Sequence, residues 1–163
     1  MSMTPAPPIT GFILQDDQGD PYWFLNTLTI NKVGSHHTHG DFSLVDHRMP
    51  AGFAPPPHIH HGTDEAFYVL DGELAGFCGD HEWRATPGSV VFLPRDVPHG
   101  FRVSDDAPAR ILIVTVRDRF DNFVAAVSEP ARQLTLPEPM PPDAPRVTHV
   151  AASYNIEILP PPA

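Results

Sequence analysis

The sequence predicts an all-β fold, an antiparallel sandwich or barrel with a short C-terminal helical segment covering it. Three observations carry that expectation. Between Pro57 and Val116 short runs rich in β-branched and aromatic residues recur: "HIHH", "EAFYVLDG", "ELAGFC", "HEWRA", "SVVFLP", "HGFRV" and "RILIVTV". Turn signals separate them, most clearly Gly79-Asp80 and Pro87-Gly88. No helical period interrupts the rhythm, which argues against alternating strand and helix units around a parallel sheet.

Taken in order, residues 1–10 ("MSMTPAPPIT") have no apolar period and read as a flexible arm. "PYWFLNTLTI", starting at Pro21, alternates as a strand does, and "GSHHTHGD" is a turn-like connection into a second strand, "FSLVDHRM". The barrel core spans residues 41–117. After Val116 the texture changes: Phe120, Phe123, Val124 and Val127 stand three and four apart, the spacing of an amphipathic helix whose apolar face covers the sheet. "LPEPMPPDAP" holds too many prolines for a helix or a central strand and reads as an extended linker. "RVTHVAASYN" predicts one short last helix before the tail "IEILPPPA", so residues 118–163 form a helix and a proline-rich tail. Of 21 prolines, eight follow Gln133 and three lie in the first eight positions, so the excess belongs to the ends of the chain.

A chain of 163 residues can bury roughly 70% of its extended surface, so one domain with a sizeable core is expected. Ten Lys and Arg stand against twenty Asp and Glu, a formal charge of -10, which excludes a nucleic-acid backbone or an anionic membrane surface as the expected partner. The single cysteine, Cys78, has no partner for an internal disulfide, and no run of about 18 apolar residues is present, so a soluble, cytoplasmic protein is expected. Cys78 lacks a neighbouring cysteine or cationic cluster and reads as a buried, inert thiol.

Chemistry concentrates in "GFAPPPHIHHGTDEAFYVLDGE". In a strand, residues two apart point the same way, so His58 and His60 aim both imidazoles at one side while Ile59 faces the other. Glu65, Phe67 and Val69 share a face of the next strand, and the turn through "HGTD" folds the carboxylate back toward those rings. A fourth donor, His99, opens the strand that follows a turn bracketed by Gly88, Pro94 and Pro98. Imidazole nitrogen and carboxylate oxygen suit one divalent transition metal (Fe, Mn, Co, Ni or Zn), and three His with one Glu leave open positions on an octahedral ion. His61 faces away from His60 and suits a surface or subunit contact. His36, His37 and His39 read as a solvated loop, with a second, adventitious metal site as the alternative; His47, His81 and His149 have no partner visible in the sequence. Of the aromatic residues, most belong to the core, and Phe120 and Phe123 on the covering helix are candidates for a lid.

Gly52, five residues, His58-x-His60, four residues, Glu65, six residues and Gly72 resemble the first cupin motif, complete in spacing, and "GSVVFLPRDVPH" resembles the second. Asp96 stands where a turn glycine is usual and Val103 where an asparagine is common; in phase with His99 and Phe101, Val103 suggests a more apolar cavity. Beyond the motifs, the chain resembles small bacterial single-domain cupins grouped with quercetin 2,3-dioxygenases over nearly its whole length. The resemblance implies a jelly roll over residues 1–163, often a homodimer, with a metal held by His58, His60, Glu65 and His99 and a pocket drawn from Phe67, Phe101, Val103, Phe120 and Phe123. It further implies a dioxygenase acting with O2 on a flavonol or similar enolic or phenolic aromatic, Glu65 taking the hydroxyl proton. A metal-dependent isomerase, epimerase or lyase, and a non-catalytic small-ligand-binding protein, are the alternatives.

Overall fold

A computed structural model describes residues 10–160; the arm expected over residues 1–10 lies almost wholly outside them, as does the end of the tail. Twelve strands and two helices follow in chain order: β1 (Asp20–Phe24), β2 (Thr27–Val33), β3 (Phe42–Met49), β4 (His58–His60), β5 (Asp64–Asp71), β6 (Leu74–Cys78), β7 (His81–Ala85), β8 (Val90–Leu93), β9 (His99–Val103), β10 (Ala109–Val116), α1 (Phe120–Val127), β11 (Glu129–Pro130), α2 (Ala144–Ala152) and β12 (Ile156–Ile158). They build two antiparallel sheets, β11-β1-β2-β3-β10-β5-β8 and β12-β4-β9-β6-β7, which make the jelly-roll sandwich that the resemblance implied. All the expected core strands are present.

Alternation explains the large sheet. In β10, Ala109, Ile111, Ile113 and Thr115 are buried while the residues between them are more open, and β10 pairs along its full length with β3 and almost as fully with β5. One cluster of buried side chains runs from Phe24 to Ile156, with Val45, Phe67, Val69, Ile111 and Ile113 from these central strands inside it. At Gly72 the turn into β6 takes φ +77°, and a Cβ there would stand 2.4 Å from the Pro108 carbonyl, so only glycine closes it without strain.

Four sequence expectations need correction. "PYWFLNTLTI" is not one strand: Leu25 and Asn26 take φ of 48° and 65° and turn the chain into the hairpin β1–β2, the φ-positive pair that matches sheet twist. The last helix begins two residues before "RVTHVAASYN", because Asp143 caps it by accepting from the Arg146 amide at 3.1 Å and Pro145 sits in its first turn, where a missing N–H costs nothing. It ends at Ala152, and the chain turns through Asn155. The apparent tail then forms β12, pairing Ile156 with His60 and Ile158 with His58. Cys78 is half-buried rather than buried, although burial still pushes its thiol up, consistent with an inert group.

α1 behaves as its period predicted. Phe120, Phe123 and Val124 are buried, and the rings of Phe120 and Phe123 meet Phe24 nearly edge-on at 6.3 and 5.8 Å. Trp23 donates to the Thr135 carbonyl, and Asn26 exchanges two hydrogen bonds with the backbone of Met140. The proline-rich linker is thereby strapped along the β1–β2 hairpin, and α2 is delivered beside α1.

Candidate metal centre

His58 and His60 lie on β4, His99 on β9 directly opposite His58, and Glu65 on β5. The three imidazoles therefore come from the small sheet and the carboxylate from the large one, and their donor atoms lie within 4.8 Å of one another. Glu65 and His99 are 3% and 1% exposed. Among the described residues this is the one group of three or more such side chains arranged to hold a metal ion. His36, His37 and His39 form no second group: His37 Nδ1 accepts from the Gly34 amide at 3.1 Å within a 3-10 turn.

Tautomers decide what the cluster can bind. His58 Nδ1 lies 2.9 Å from the Pro56 carbonyl and His99 Nδ1 3.0 Å from the Val97 carbonyl. A carbonyl only accepts, so both Nδ1 atoms carry the proton and both Nε2 atoms are bare lone pairs. Those two nitrogens stand 3.2 Å apart. Glu65 Oε2 lies 3.4 Å from His99 Nε2 and 3.8 Å from His60 Nε2, with no hydrogen-bond partner of its own. Several buried acceptors thus face one point with no shared proton among them, an arrangement that a cation satisfies.

The third histidine has a carboxylate behind it. Asp118 Oδ2 is 3.5 Å from His60 Nδ1, and neither atom has another partner. Outer carboxylates of this kind fix the ring and tautomer of a metal-ligating histidine. Asp118 was not singled out from the sequence, since nothing in "VRDRF" marks it; it reaches the site because the chain turns at Arg117, φ 60°, between β10 and α1.

Electrostatics agree with the geometry. Burial would raise Glu65, but the three surrounding histidines outweigh it and hold the carboxyl down at about 2. Burial, together with repulsion from His60 and His99, pushes His58 down to about 4. At His60 burial opposes the charge, yet Glu65 and Asp118 prevail and the pKa is raised. Without an ion, the two carboxylates favour a proton on His60; a bound divalent ion would supply that charge instead.

Asp96 resolves the departure from the second motif. It adopts φ 64°, the conformation a turn glycine would supply, which short polar residues tolerate. Its carboxylate accepts from the Gly62 amide at 3.0 Å, and its own amide donates to the His60 carbonyl at 2.9 Å. The nonstandard residue therefore braces β4. His61 is exposed as expected, 2.7 Å from Glu157, whose hydrogen bond raises its pKa.

A cavity of about 460 Å³ opens over the cluster. His58, His60 and Glu65 meet it, and its walls are mainly apolar, including Phe67, Phe101, Phe120 and Phe123 from the expected pocket. Val103 is fully buried and lies outside the lining. Sequence reasoning missed Phe24, Phe53 and His47, and also α2 and β12, which contribute Val147, Ile156 and Ile158. Their role arises from chain reversal after the proline-rich linker, which local pattern does not reveal.

A family model described as a cupin domain matches residues 45–115. Over 119 residues the chain is 23% identical to quercetin 2,3-dioxygenase of Bacillus subtilis (strain 168), a match covering 73% of this chain and 35% of that protein. The chain thus spans about a third of the length of that relative. Among solved structures, KdgF from Halomonas sp. matches with a TM-score of 0.60 at 18% identity, over 69% of this chain and 99% of that one. The polyketide cyclase RemF from Streptomyces resistomycificus matches with a TM-score of 0.58 at 20% identity, over 80% and 89% of the two chains. At these identities the structural matches show a shared fold.

Proposed function

We propose that this chain, whose residues 45–115 match a cupin domain, is a metal-dependent dioxygenase of the quercetin 2,3-dioxygenase-like type, opening a flavonol or similar enolic or phenolic aromatic with O2. One observation carries the reading: buried, unpaired acceptor atoms converge at a cavity of about 460 Å³ whose walls are otherwise largely aromatic and aliphatic. His58, His60, Glu65 and His99 would hold one divalent transition metal through Nε2 and carboxylate oxygen. Such an ion, when bound, is a Lewis acid for a deprotonated hydroxyl and a template for O2.

The protein's own contribution is positioning and proton handling. Phe67, Phe101, Phe120 and Phe123 offer ring edges and faces to a planar substrate and keep water from the reacting atoms. Glu65, its carboxyl held low and its Oε2 without a hydrogen-bond partner, accepts the substrate's hydroxyl proton. A carboxylate held at about 2 is a weak base, so a hydroxyl that gives it a proton would need its own pKa lowered, which a divalent ion held by the four side chains would supply. Main-chain carbonyls at Pro56 and Val97, with Asp118, keep the imidazoles oriented throughout.

The test is incubation of metal-loaded protein with quercetin in air, following decay of the flavonol absorption band and O2 uptake with Fe, Mn, Co and Ni in turn. Turnover no faster than that of the free metal with all four refutes the proposal. The competing reading, a metal-dependent isomerase, epimerase or lyase, draws support from the polyketide cyclase matched above, which places a different named activity on this fold; activity without O2 selects it. Tight retention of a ligand without turnover selects a binding protein.

A cytoplasmic homodimer completes the proposal. No described helix is long and apolar enough to cross a membrane. Edge strand β8 exposes Val90 and Phe92, with Tyr68 beside them on β5, an apolar strip suited to a second copy. Light scattering that gives the mass of one chain across the micromolar range refutes the dimer.

A further inference from the structure

Outside the metal cluster, the cavity wall carries three polar side chains. Asn26 spends both amide atoms on Met140, and Thr148 is exposed on α2. The third, His47, differs: it sits on the inner face of β3, 3% exposed, with its ring tilted against Phe24 at 6.1 Å and Phe53 at 5.9 Å, both cavity-lining residues.

Its tautomer follows from one neighbour. The Thr27 hydroxyl donates its only proton to the Phe24 carbonyl, and His47 Nε2 lies 2.8 Å from that same hydroxyl oxygen. Nε2 must therefore be the donor and carry the ring proton. Nδ1 is left as a bare lone pair with no partner; it is closed off by the packing around it, so a ligand in the cavity reaches it by displacing a neighbouring side chain. A buried polar atom without a partner calls for a reason. Charge does not provide one, because burial pushes His47 down to about 4, overriding Asp46 and Glu65; Asp46 is in any case engaged by Arg48 and Arg110.

We propose that His47 is the cavity's second anchor, its Nδ1 accepting a hydrogen bond from a hydroxyl of a polyphenolic ligand away from the metal centre. The proposal rests on the reading of this cavity as an aromatic-substrate site, and narrows it to ligands with at least two hydroxyls. An acceptor fixed as an acceptor discriminates: it rewards a phenol and rejects a ligand that brings only an ether or a carbonyl to that position.

Zinc-loaded protein under argon, where no oxidation occurs, gives the test. Dissociation constants are measured for quercetin and for 3-hydroxyflavone, which shares the hydroxyl and ketone presented to the metal but lacks the remaining hydroxyls. Wild-type protein should prefer quercetin about tenfold, the worth of one well-made hydrogen bond. His47→Phe should reduce that preference to about twofold or less while moving 3-hydroxyflavone by less than about twofold, and His47→Asn, whose amide oxygen stands near the Nδ1 position, should restore part of it. Independently of any variant's folding, the 15N resonance of His47 Nδ1 in the wild-type protein should move upfield in the quercetin complex relative to the 3-hydroxyflavone complex.

Equal affinity for the two flavonols in wild-type protein, a preference undiminished in His47→Phe, or an Nδ1 resonance identical in the two complexes overturns the proposal. None of these readouts involves turnover. Quercetin held through His47 yet stable in air supports the anchor and sinks the dioxygenase reading; quercetin oxidised with no His47-dependent preference does the reverse.

Discussion

Asp118→Asn should weaken metal binding without disturbing the fold, and the structure sets how. The Asp118 Oδ1 atom accepts from the Arg119 amide, so in the variant the oxygen of the new amide stays there and its NH2 group turns toward His60 Nδ1. That nitrogen is then asked to accept rather than donate, which moves the ring proton to Nε2, the atom facing Glu65 and the metal position. Loss of such an outer carboxylate costs about 10- to 100-fold in metal affinity. At a free metal concentration 100 times the wild-type Kd, the ion stabilises the wild-type protein by about 2.7 kcal/mol and the variant by only about 0.4–1.4 kcal/mol. For a chain of 163 residues this corresponds to a rise in Tm on metal addition of about 5–11 °C in wild type against about 1–6 °C in the variant. Calorimetry with and without zinc, alongside elemental analysis after dialysis, measures both. If Asp118→Asn shows the full wild-type shift at matched metal, His60 is oriented by something other than Asp118 and the tautomer argument fails.

The remaining predictions address ligand, core and pH. His99→Ala removes a nitrogen that sits 3.2 Å from His58 Nε2 and 3.4 Å from Glu65; dialysed protein should retain less than about a tenth of the wild-type metal, given that even outer-ligand changes cost 10-fold or more. Ile156→Ala empties a 3%-exposed position on the strand that braces β4 and should lower stability by about 2–4 kcal/mol, read as a reduced urea midpoint with unchanged slope. In metal-free protein His47 contributes an acid-sensitive segment: its folded value of about 4 lies below the unfolded value near 6.5, so the unfolded chain binds the extra proton and stability falls as pH drops from about 6.5 to about 4. The fall due to His47 is at most ~3 kcal/mol. His47→Phe should show a shallower decline over that window than wild type, and parallel curves would contradict a buried neutral His47.

Strand rhythm, turn residues and the two motif spacings were legible in the chain because each is local. A period of two, a glycine in a turn and His58-x-His60 need no knowledge of distant partners, and they sufficed for the all-β class, the position of α1 and the four side chains that the fold gathers where they could hold a metal ion. Asp118, His47 and the cavity-closing role of β12 were not legible, for a shared reason. Each depends on a partner distant in sequence: Asp118 meets His60 from just beyond the end of β10, His47 gains its tautomer from Thr27 on the neighbouring strand β2, twenty residues earlier, and β12 pairs with β4 from the other end of the chain. The three-residue run Ile156–Ile158 has too little periodicity to announce a strand, and the edge of β4 on which it pairs, opposite β9, exists only once the small sheet has assembled. Composition and spacing determined which side chains are capable of the chemistry; packing decided which of their nitrogens are bare and which are spent, because a tautomer is set by the partner a ring meets in space.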